Sequence, residues 1–370
     1  MARFDGNAPT WLKVVRVALV LLALSVIVGS FLPVVDTDAW WVRMMDFPRL
    51  QLMLAAIALL FLVLWSAGRT LAGMGAALGL AGAAIYHAAK LSPVLIRPAL
   101  ADASEACPAE PFAVMVANVQ RGNRRADELI ATVRRERPTL FVAQETDEWW
   151  DAQLAALSDL YPHTEAAITG SYYGMHVFSA VPIDMSVSYP TNPDTPVIAG
   201  IVALPGGAVS VVAIHPRPPH PSQSALPRDA ELYRAALAVD RNQPTIVIGD
   251  LNAVPWETTV ERMRRLGGLL DPRREAGFLA SFDAQSAWMK WPLDQVLHTA
   301  PLRALNAELH SPFGSDHLPY SVTLCSVPAD TLPPAPNAGD RERALDAIEQ
   351  AGKEAPRAPN GARGADLSRP

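Results

Sequence analysis

Several short apolar runs in this chain end in an acid, an amide or an imidazole, and this pattern constrains the fold most. The polar residues at the run ends are Glu145, His215, Asp250 and Asn252, and Asp316 and His317 stand just before the last run. Short apolar runs indicate buried strands, and catalytic residues usually lie at the open ends of such strands. The pattern therefore predicts a β-rich enzyme that assembles a metal-dependent hydrolytic site from separate strands.

The first quarter of the chain predicts a membrane domain. A helix that crosses the hydrocarbon core of a bilayer needs about 20 mainly apolar residues. Three such helices are predicted at about residues 14–35, 50–66 and 70–89. A cleaved signal peptide would explain the first of them alone. We therefore predict a membrane domain over residues 1–91.

Loop charges predict the orientation of these helices. Basic residues (Arg3, Lys13 and Arg16) flank the first helix, and Arg69 lies between the second and the third, whereas the loop at 36–46 is acidic. Basic loops face the cytoplasm. The sequence therefore predicts an integral membrane protein, in the bacterial inner membrane, whose C-terminal domain is periplasmic.

The remaining sequence predicts a linker, one folded domain and a tail. Residues 92–110 are rich in Pro and Ala and predict a linker. Residues 111–326 are long enough for one substantial core and are the predicted catalytic domain. Residues 327–370 are rich in Pro and Ala and predict a mostly disordered tail, with a short helix at 341–353.

The net charge of -6 argues against a broad surface for binding nucleic acid, which normally needs a basic face. An acidic enzyme can still cleave a phosphodiester, because a bound metal ion carries the local positive charge.

The predicted catalytic domain alternates strands and helices. Strands are predicted at 112–117, 140–143, 174–179, 197–204, 209–214, 245–248, 293–297 and 320–324, and helices at 127–136, 149–160, 228–240 and 257–266. Strands that come singly or in pairs, with helices between them, favour an α+β sandwich with its helices outside.

The two cysteines lie at opposite ends of this domain. Cys107 precedes the first strand, and Cys325 lies in the last one. They are either two unrelated thiols or one disulfide that joins the two ends of the domain. The disulfide requires the first and last strands to be neighbours and the compartment to be oxidising.

Six short motifs follow one another in a recognisable order. They are Asn118, Gln144-Glu145, His215-Pro216, Gly249-Asp250-Leu251-Asn252-Ala253, Asp294 in Pro-Leu-Asp-Gln-Val, and Ser315-Asp316-His317. Over residues 112–325 the chain resembles the endonuclease/exonuclease/phosphatase superfamily, which includes deoxyribonuclease I, and its layout resembles that of membrane-anchored bacterial members. The resemblance implies a four-layer, deoxyribonuclease I-like β-sandwich with helices on both outer faces, here preceded by three transmembrane helices.

The resemblance also implies a site for Mg²⁺ (or Mn²⁺). Glu145 is the principal ligand, and Asn118 and Asp316 complete the metal site. Many relatives carry an acid two residues after the first motif, where this chain has Gln120. Asn123 is either its substitute or a turn residue.

The other motif residues are implied to act in catalysis. The attacking water needs a base, and the charge that develops on the phosphate must be held. His317 and Asp294 resemble the family's His–Asp pair, in which the carboxylate orients the imidazole. Asp250 and Asn252 orient the water and hydrogen-bond the phosphate, and His215 binds the phosphate or protonates the leaving oxygen.

Two further segments are open to two interpretations. The arginines at 121, 124 and 125 either grip phosphate or form the solvated start of a helix. The stretch from Trp288 to Trp291 is either a wall that faces the substrate or a packing element.

The sequence thus predicts a membrane-anchored, divalent-metal-dependent hydrolase that uses water to cleave a phosphodiester or phosphomonoester. Its predicted partners are a phosphoester substrate (nucleic acid, phospholipid or small phosphoester) and the lipid bilayer, and no protein partner is evident in the sequence. The alternative is a catalytically degenerate member of the same fold that serves as a binding or scaffold protein at the membrane.

Overall fold

The computed structural model describes residues 9–67, 70–96, 107, 109–204, 206–329 and 331–354. The described residues fall into two units: the first lies within Met1–Pro93 together with His220–Gln223, and the second within Val94–Pro219 and Ser224–Pro370. Each unit has a hydrophobic core of its own.

The first unit is helical. Its helices are α1 (Thr10–Phe31), α2 (Trp40–Arg43), α3 (Arg49–Ser66) and α4 (Leu71–Leu95). Three segments, Thr10–Val34, Arg49–Ser66 and Leu71–Leu95, are long and apolar enough to cross a membrane. A β-carbon added at Gly79 would lie 2.6 Å from Ile27 Cδ1, so glycine permits the close approach of α4 to α1.

The second unit contains two mixed sheets. Its strands are β1 (Phe112–Asn118), β2 (Leu140–Gln144), β3 (His163–Ala167), β4 (Met175–Ser179), β5 (Ile183–Ser188), β6 (Val197–Leu204), β7 (Gly207–Ile214), β8 (Thr245–Asp250), β9 (Asp294–His298), β10 (Leu302–Leu309) and β11 (Tyr320–Ser326). The strand order is β10-β11-β1-β2-β4-β3 in the first sheet and β5-β6-β7-β8-β9 in the second.

Helices cover the outer faces of the two sheets. They are α5 (Ala126–Glu136), α6 (Glu148–Leu154), α7 (Leu226–Ala238), α8 (Thr258–Gly267), α9 (Arg273–Ala276) and α10 (Asp340–Glu354). The central core joins the inner faces of both sheets through residues such as Val114 and Ile248. Leu129 of α5 packs on the first sheet, and Val260 of α8 packs on the second. The layers are therefore helix, sheet, sheet and helix, as the predicted sandwich requires.

The sequence prediction misses three strands, because they lie at sheet edges. β3, β5 and β10 end their sheets, and their residues alternate between buried and partly exposed positions. A strand with one solvated face carries polar residues at alternate positions, so it forms no continuous apolar run. The predicted helix at 149–160 is also shorter, since α6 ends at Leu154 and a 3₁₀ turn follows at Ala155–Leu157.

The tail predicted at 327–370 contains the short helix expected at 341–353, which is α10, and this helix is packed against the domain. Ala344 and Ala351 of this helix are buried against α7 and α8. Asp340 accepts hydrogen bonds from Arg262 at 3.3 Å and from Arg265 at 2.7 Å. This short amphipathic helix has an apolar stripe to bury. Residues 355–370 lie outside the described residues.

The boundary of the predicted linker also changes, because α4 continues to Leu95, beyond the expected start at 92. Most of the predicted linker, residues 97–106 and 108, lies outside the described residues.

The two cysteines form a disulfide. β1 and β11 are antiparallel neighbours, with Phe112 opposite Leu324. Cys107 and Cys325 are bonded, and their Cα atoms are 6.1 Å apart. The two cysteines are therefore not unrelated thiols but one disulfide that joins the two ends of the domain.

The ion pairs of Asp340 should stabilise the attachment of α10 to α8. The hydrogen bond from Arg265 holds the pKa of Asp340 at about 2, so the attachment is stabilised above the usual pKa of an aspartate and weakens as the pH falls toward 2. We expect Asp340→Asn to speed amide hydrogen exchange in residues 340–354 about tenfold at neutral pH. Glu349→Gln, which breaks an exposed pair with Lys353 on the same helix, should leave exchange unchanged. Equal exchange in both variants would contradict this role of Asp340.

Candidate active site

The six motifs meet at one edge of the sandwich. β1 and β2 are parallel, with Asn118 opposite Gln144 at their ends. β8 and β9 are antiparallel, with Asp250 opposite Asp294. β11 runs antiparallel to β1, so the residues just before it reach the same edge. The topology thus brings together polar groups that are far apart in the sequence.

Gln144 connects the two sheets at this edge. Its buried side chain donates a hydrogen bond to the carbonyl of Ile214 at 2.8 Å and accepts one from the backbone N–H of Asp250 at 2.7 Å. Gly249 makes this approach possible, because a β-carbon there would lie 1.9 Å from the Ile214 carbonyl oxygen. The motif Gln144-Glu145 was expected to supply a metal ligand, and this bridging role was not predicted.

Asn118 joins two of the carboxylates. Its side-chain N–H group donates to Glu145 Oε1 at 3.0 Å and to Asp250 Oδ2 at 3.1 Å. The backbone N–H of Arg121 donates to Glu145 Oε2 at 3.1 Å. Glu145 has a φ of 61°, so the chain turns sharply where β2 ends. Three of the expected site residues therefore share one hydrogen-bonded cluster.

His317 and Asp294 form the expected pair. His317 Nδ1 is 2.7 Å from Asp294 Oδ2, and His317 Nε2 is 3.6 Å from Asp250 Oδ2. Burial opposes the charge on the imidazole, but the attraction of Asp294 and Asp250 outweighs it and raises the pKa of His317 to about 10. Burial likewise opposes the charge on Asp294, and the positive charge of His317 outweighs that effect and lowers the pKa of Asp294. The geometry thus favours an ion pair.

Asp250 lies between the two histidines. Burial, more than any neighbouring charge, raises its pKa. His215 Nδ1 donates to the backbone carbonyl of Asp250 at 3.2 Å, and His215 Nε2 lies 3.8 Å from Glu145 Oε1. The Asn252 side chain donates to the carbonyl of Pro216 at 3.0 Å, so this amide also holds the backbone that follows His215.

Asp316 completes the acidic group. Its backbone N–H donates to Gln120 Oε1 at 3.2 Å. Its carboxyl pKa is raised by burial first, with a further contribution from the negative charges of Glu145 and Asp250. The side chain of Asn123 donates to the carbonyls of Val119 and Phe313, so Asn123 is the turn residue of the two alternatives.

The donor set fits a hard cation that keeps several waters. Within the part of the chain that the structure describes, no group of three or more His, Cys, Asp or Glu side chains is arranged to hold a metal ion. Mg²⁺ needs only one or two carboxylates and retains several waters. The negative charges of Glu145, Asp250 and Asp316 repel one another, and a divalent cation would relieve that repulsion. These oxygen ligands therefore suit an open Mg²⁺ or Mn²⁺ site.

The three nearby arginines differ in their partners. Arg124 pairs with Asp147 at 2.9 Å, and Arg125 pairs with Glu128 at 2.7 Å on the exposed start of α5. The guanidinium group of Arg121 lies over the ring of Tyr172, 5.4 Å from its centroid, and has no ion pair among the described residues. Arg125 therefore belongs to the solvated start of a helix. The backbone of Arg121, in contrast, contacts Glu145.

One aromatic neighbour of the site was not predicted. The rings of Tyr173 and His215 are 5.5 Å apart. A β-carbon at Gly174 would lie 1.8 Å from the carbonyl oxygen of Thr146, so the loop that carries Tyr173 lies directly against the residue after Glu145. Glycines around a Tyr-Tyr pair are a weak sequence signal, and they do not specify this position.

Comparison with known proteins agrees with the geometry. The model of the Endonuclease/Exonuclease/phosphatase family matches residues 115–317, more than half of the chain. The endonuclease/exonuclease/phosphatase from Beutenbergia cavernae DSM 12333 is 20% identical, with a TM-score of 0.52, over 60% of this chain and 73% of that one. Humanized D. rerio TDP2 is 16% identical, with a TM-score of 0.52, over 59% of this chain and 100% of that one.

D. rerio TDP2 complexed with single strand DNA product is 14% identical, with a TM-score of 0.51, over 59% of this chain and 100% of that one. Identities this low establish a common fold. A search of curated proteins finds no match. The match to the family model, together with the motifs collected at one edge of the sandwich, leads to a single assignment: the chain belongs to the endonuclease/exonuclease/phosphatase family.

Proposed function

We propose that this protein is a membrane-anchored, divalent-metal-dependent phosphoester hydrolase. The observation that carries the proposal is the cluster in which Asn118 links Glu145 to Asp250, with His317 Nε2 3.6 Å from the same Asp250 oxygen. Membership of the family supports the reaction class, because its members are hydrolases that act on phosphoesters.

The metal, held by Glu145 with Asn118 and Asp316, would supply a Lewis acid for a phosphate oxygen. Asp250 Oδ2 is well placed to accept a proton from an attacking water, because it is buried and lies within 4 Å of both histidines. The imidazolium of His317, kept charged by Asp294, can hold the negative charge that develops on the phosphate.

Two further residues would contact the phosphoester. The backbone N–H of Arg121 donates to Glu145 Oε2, and the planar guanidinium group of the same residue suits phosphate oxygens. His215 Nε2 faces Glu145 and is positioned to protonate the leaving oxygen or bind the phosphate. Asn252 has a positive φ of 48° and fixes the chain around Pro216, so it positions this side of the site.

The proposed location follows from three features. Three helices are apolar and long enough to cross a bilayer. The basic loops of the sequence favour a cytoplasmic N-terminus, and an odd number of crossings then puts the catalytic domain on the periplasmic side. The Cys107–Cys325 disulfide fits that oxidising compartment.

The metal site is tested with a model phosphodiester. We expect the full-length protein in detergent to hydrolyse bis(p-nitrophenyl) phosphate with Mg²⁺ or Mn²⁺, and to stop when a chelator is added. Glu145→Gln should lower kcat/KM by at least about 10²-fold, because the metal loses its principal carboxylate. The matched control is Glu148→Gln, an exposed acid three residues away, which should keep the wild-type rate. Turnover that is absent from the wild type, or equal in the wild type and Glu145→Gln, would instead favour the scaffold alternative.

A further prediction tests the His–Asp pair as one unit. His317→Ala and Asp294→Asn should each lower kcat by about 10²–10⁴-fold. The double variant should be no slower than His317→Ala alone, because Asp294 acts through the imidazole that it orients. Losses that multiply in the double variant would mean that the two side chains act independently.

Another prediction concerns orientation in a bacterial host. A reporter enzyme that is active only outside the cytoplasm should be active when fused after Pro328. The same reporter fused after Ala67, between the second and third apolar helices, should be inactive. The reverse pattern would contradict the periplasmic assignment and leave the proposed chemistry untouched.

A further inference from the structure

The segment Phe282–Trp291, here called the 282–291 hairpin, is an ordered projection beside the site. Phe282 and Trp291 pair through their backbones, and the N–H of Asp283 donates to the carbonyl of Met289 at 3.0 Å. Ser286 Oγ accepts the N–H of Met289 at 2.8 Å and closes the turn. The shape of the hairpin is therefore fixed by its own hydrogen bonds.

The base of the hairpin is part of the candidate active site. The backbone N–H of Ala284 donates to the carbonyl of Asp316 at 2.6 Å. The ring of Phe282 lies 4.9 Å from that of His317 and stacks on Trp291 at 5.9 Å. Whatever the hairpin binds is thus held next to the proposed catalytic pair.

The tip of the hairpin is apolar and exposed. Trp288 is 65% exposed and Met289 is 45% exposed, whereas Trp291 at the base is only 8% exposed. Tyr172, whose ring lies beneath the guanidinium group of Arg121, is 60% exposed. Adjacent large apolar side chains on an ordered loop form an exposed patch, and such patches mark surfaces that bind a partner. The packing interpretation thus fits Trp291 and does not fit Trp288.

The chemistry of the tip favours a lipid surface over nucleic acid. Single-stranded nucleic acid binds to aromatic rings that are combined with a positively charged groove. The hairpin has one cation, Lys290, whose ammonium group donates to the carbonyl of Asp283 at 2.6 Å, and the whole chain has a net charge of -6. Methionine offers no stacking face, but it is readily buried among acyl chains. Trp and Lys together are typical of membrane interfaces.

The same chain carries the apolar helices that are proposed to lie in the bilayer. The apolar helix α4 ends at Leu95 and β1 begins at Phe112, so the intervening chain can span at most about 60 Å. The catalytic domain therefore stays within reach of any membrane that holds the helices.

We propose that Trp288 and Met289 insert into the headgroup region of the bilayer and that the enzyme cleaves a phosphoester in a lipid headgroup presented there. This inference rests on the proposed function for the reaction and adds the substrate class and the docking surface.

Insertion is tested without turnover. Met289→Cys in the full-length protein, labelled with an environment-sensitive fluorophore under non-reducing conditions, is reconstituted into bilayers of phosphatidylcholine and phosphatidylglycerol that contain spin-labelled lipid. We expect quenching at position 289 to exceed severalfold that at Leu345→Cys, a control position that is also apolar and 47% exposed. Equal quenching, or none, at the two positions would overturn the proposed docking surface.

Substrate class is tested by a ratio of rates. The double variant Trp288→Ser/Met289→Ser should lower the ratio of phospholipid hydrolysis in these bilayers to bis(p-nitrophenyl) phosphate hydrolysis by at least about tenfold. Leu345→Ser should keep the wild-type ratio. An unchanged ratio in the double variant, or a selective loss of single-stranded DNA hydrolysis, would overturn the lipid assignment. If the wild type hydrolyses none of these substrates, the proposed function fails, and quenching at position 289 still decides whether the hairpin docks on lipid.

Discussion

The contact of Gln144 with both sheets is the constraint on which the rest of the site depends. A sandwich core of aliphatic side chains sets the distance between its sheets only loosely, because such contacts have no direction. One buried amide that binds Ile214 and Asp250 fixes the relative position of the strand ends at the edge where precision matters. With β2 and β8 fixed in this way, the carboxylates of Glu145 and Asp250 come close enough for the single amide of Asn118 to bind both.

The electrostatics of the site follow from that geometry. Three carboxylates lie within 4 Å of His215 or His317, in surroundings that exclude most of the water that would screen their charges. Such a site is costly by itself, since like charges at close range raise the free energy of each ionised group. Under the proposed function, a divalent cation would neutralise the acids while Arg121 and His317 met the phosphate. Substrate binding and charge balance would then be one event.

Much of this architecture could be predicted from the sequence, for a physical reason. Strands buried on both faces, such as β1, β2 and β8, produce continuous apolar runs, and the polar residues that end them mark the site. Edge strands β3, β5 and β10 lack that signal, because water replaces half of their apolar contacts. The role of Arg125 was within reach of the sequence, since its partner Glu128 lies one helical turn away. The role of Arg124 could not be predicted in this way, since its partner Asp147 comes from a different segment.

The disulfide determines which part of the domain resists a pull on the chain that enters it. Cys107 lies where the chain enters the domain, and its partner Cys325 lies in β11, a strand with neighbours on both sides. In the proposed membrane-anchored arrangement, a pull from the apolar helices would pass through this covalent bond into the interior of the first sheet. Without that bond, the same pull would fall on the terminal backbone contacts of β1, the strand that also holds Asn118. The crosslink would then shield the geometry of the candidate active site from movements of the anchor.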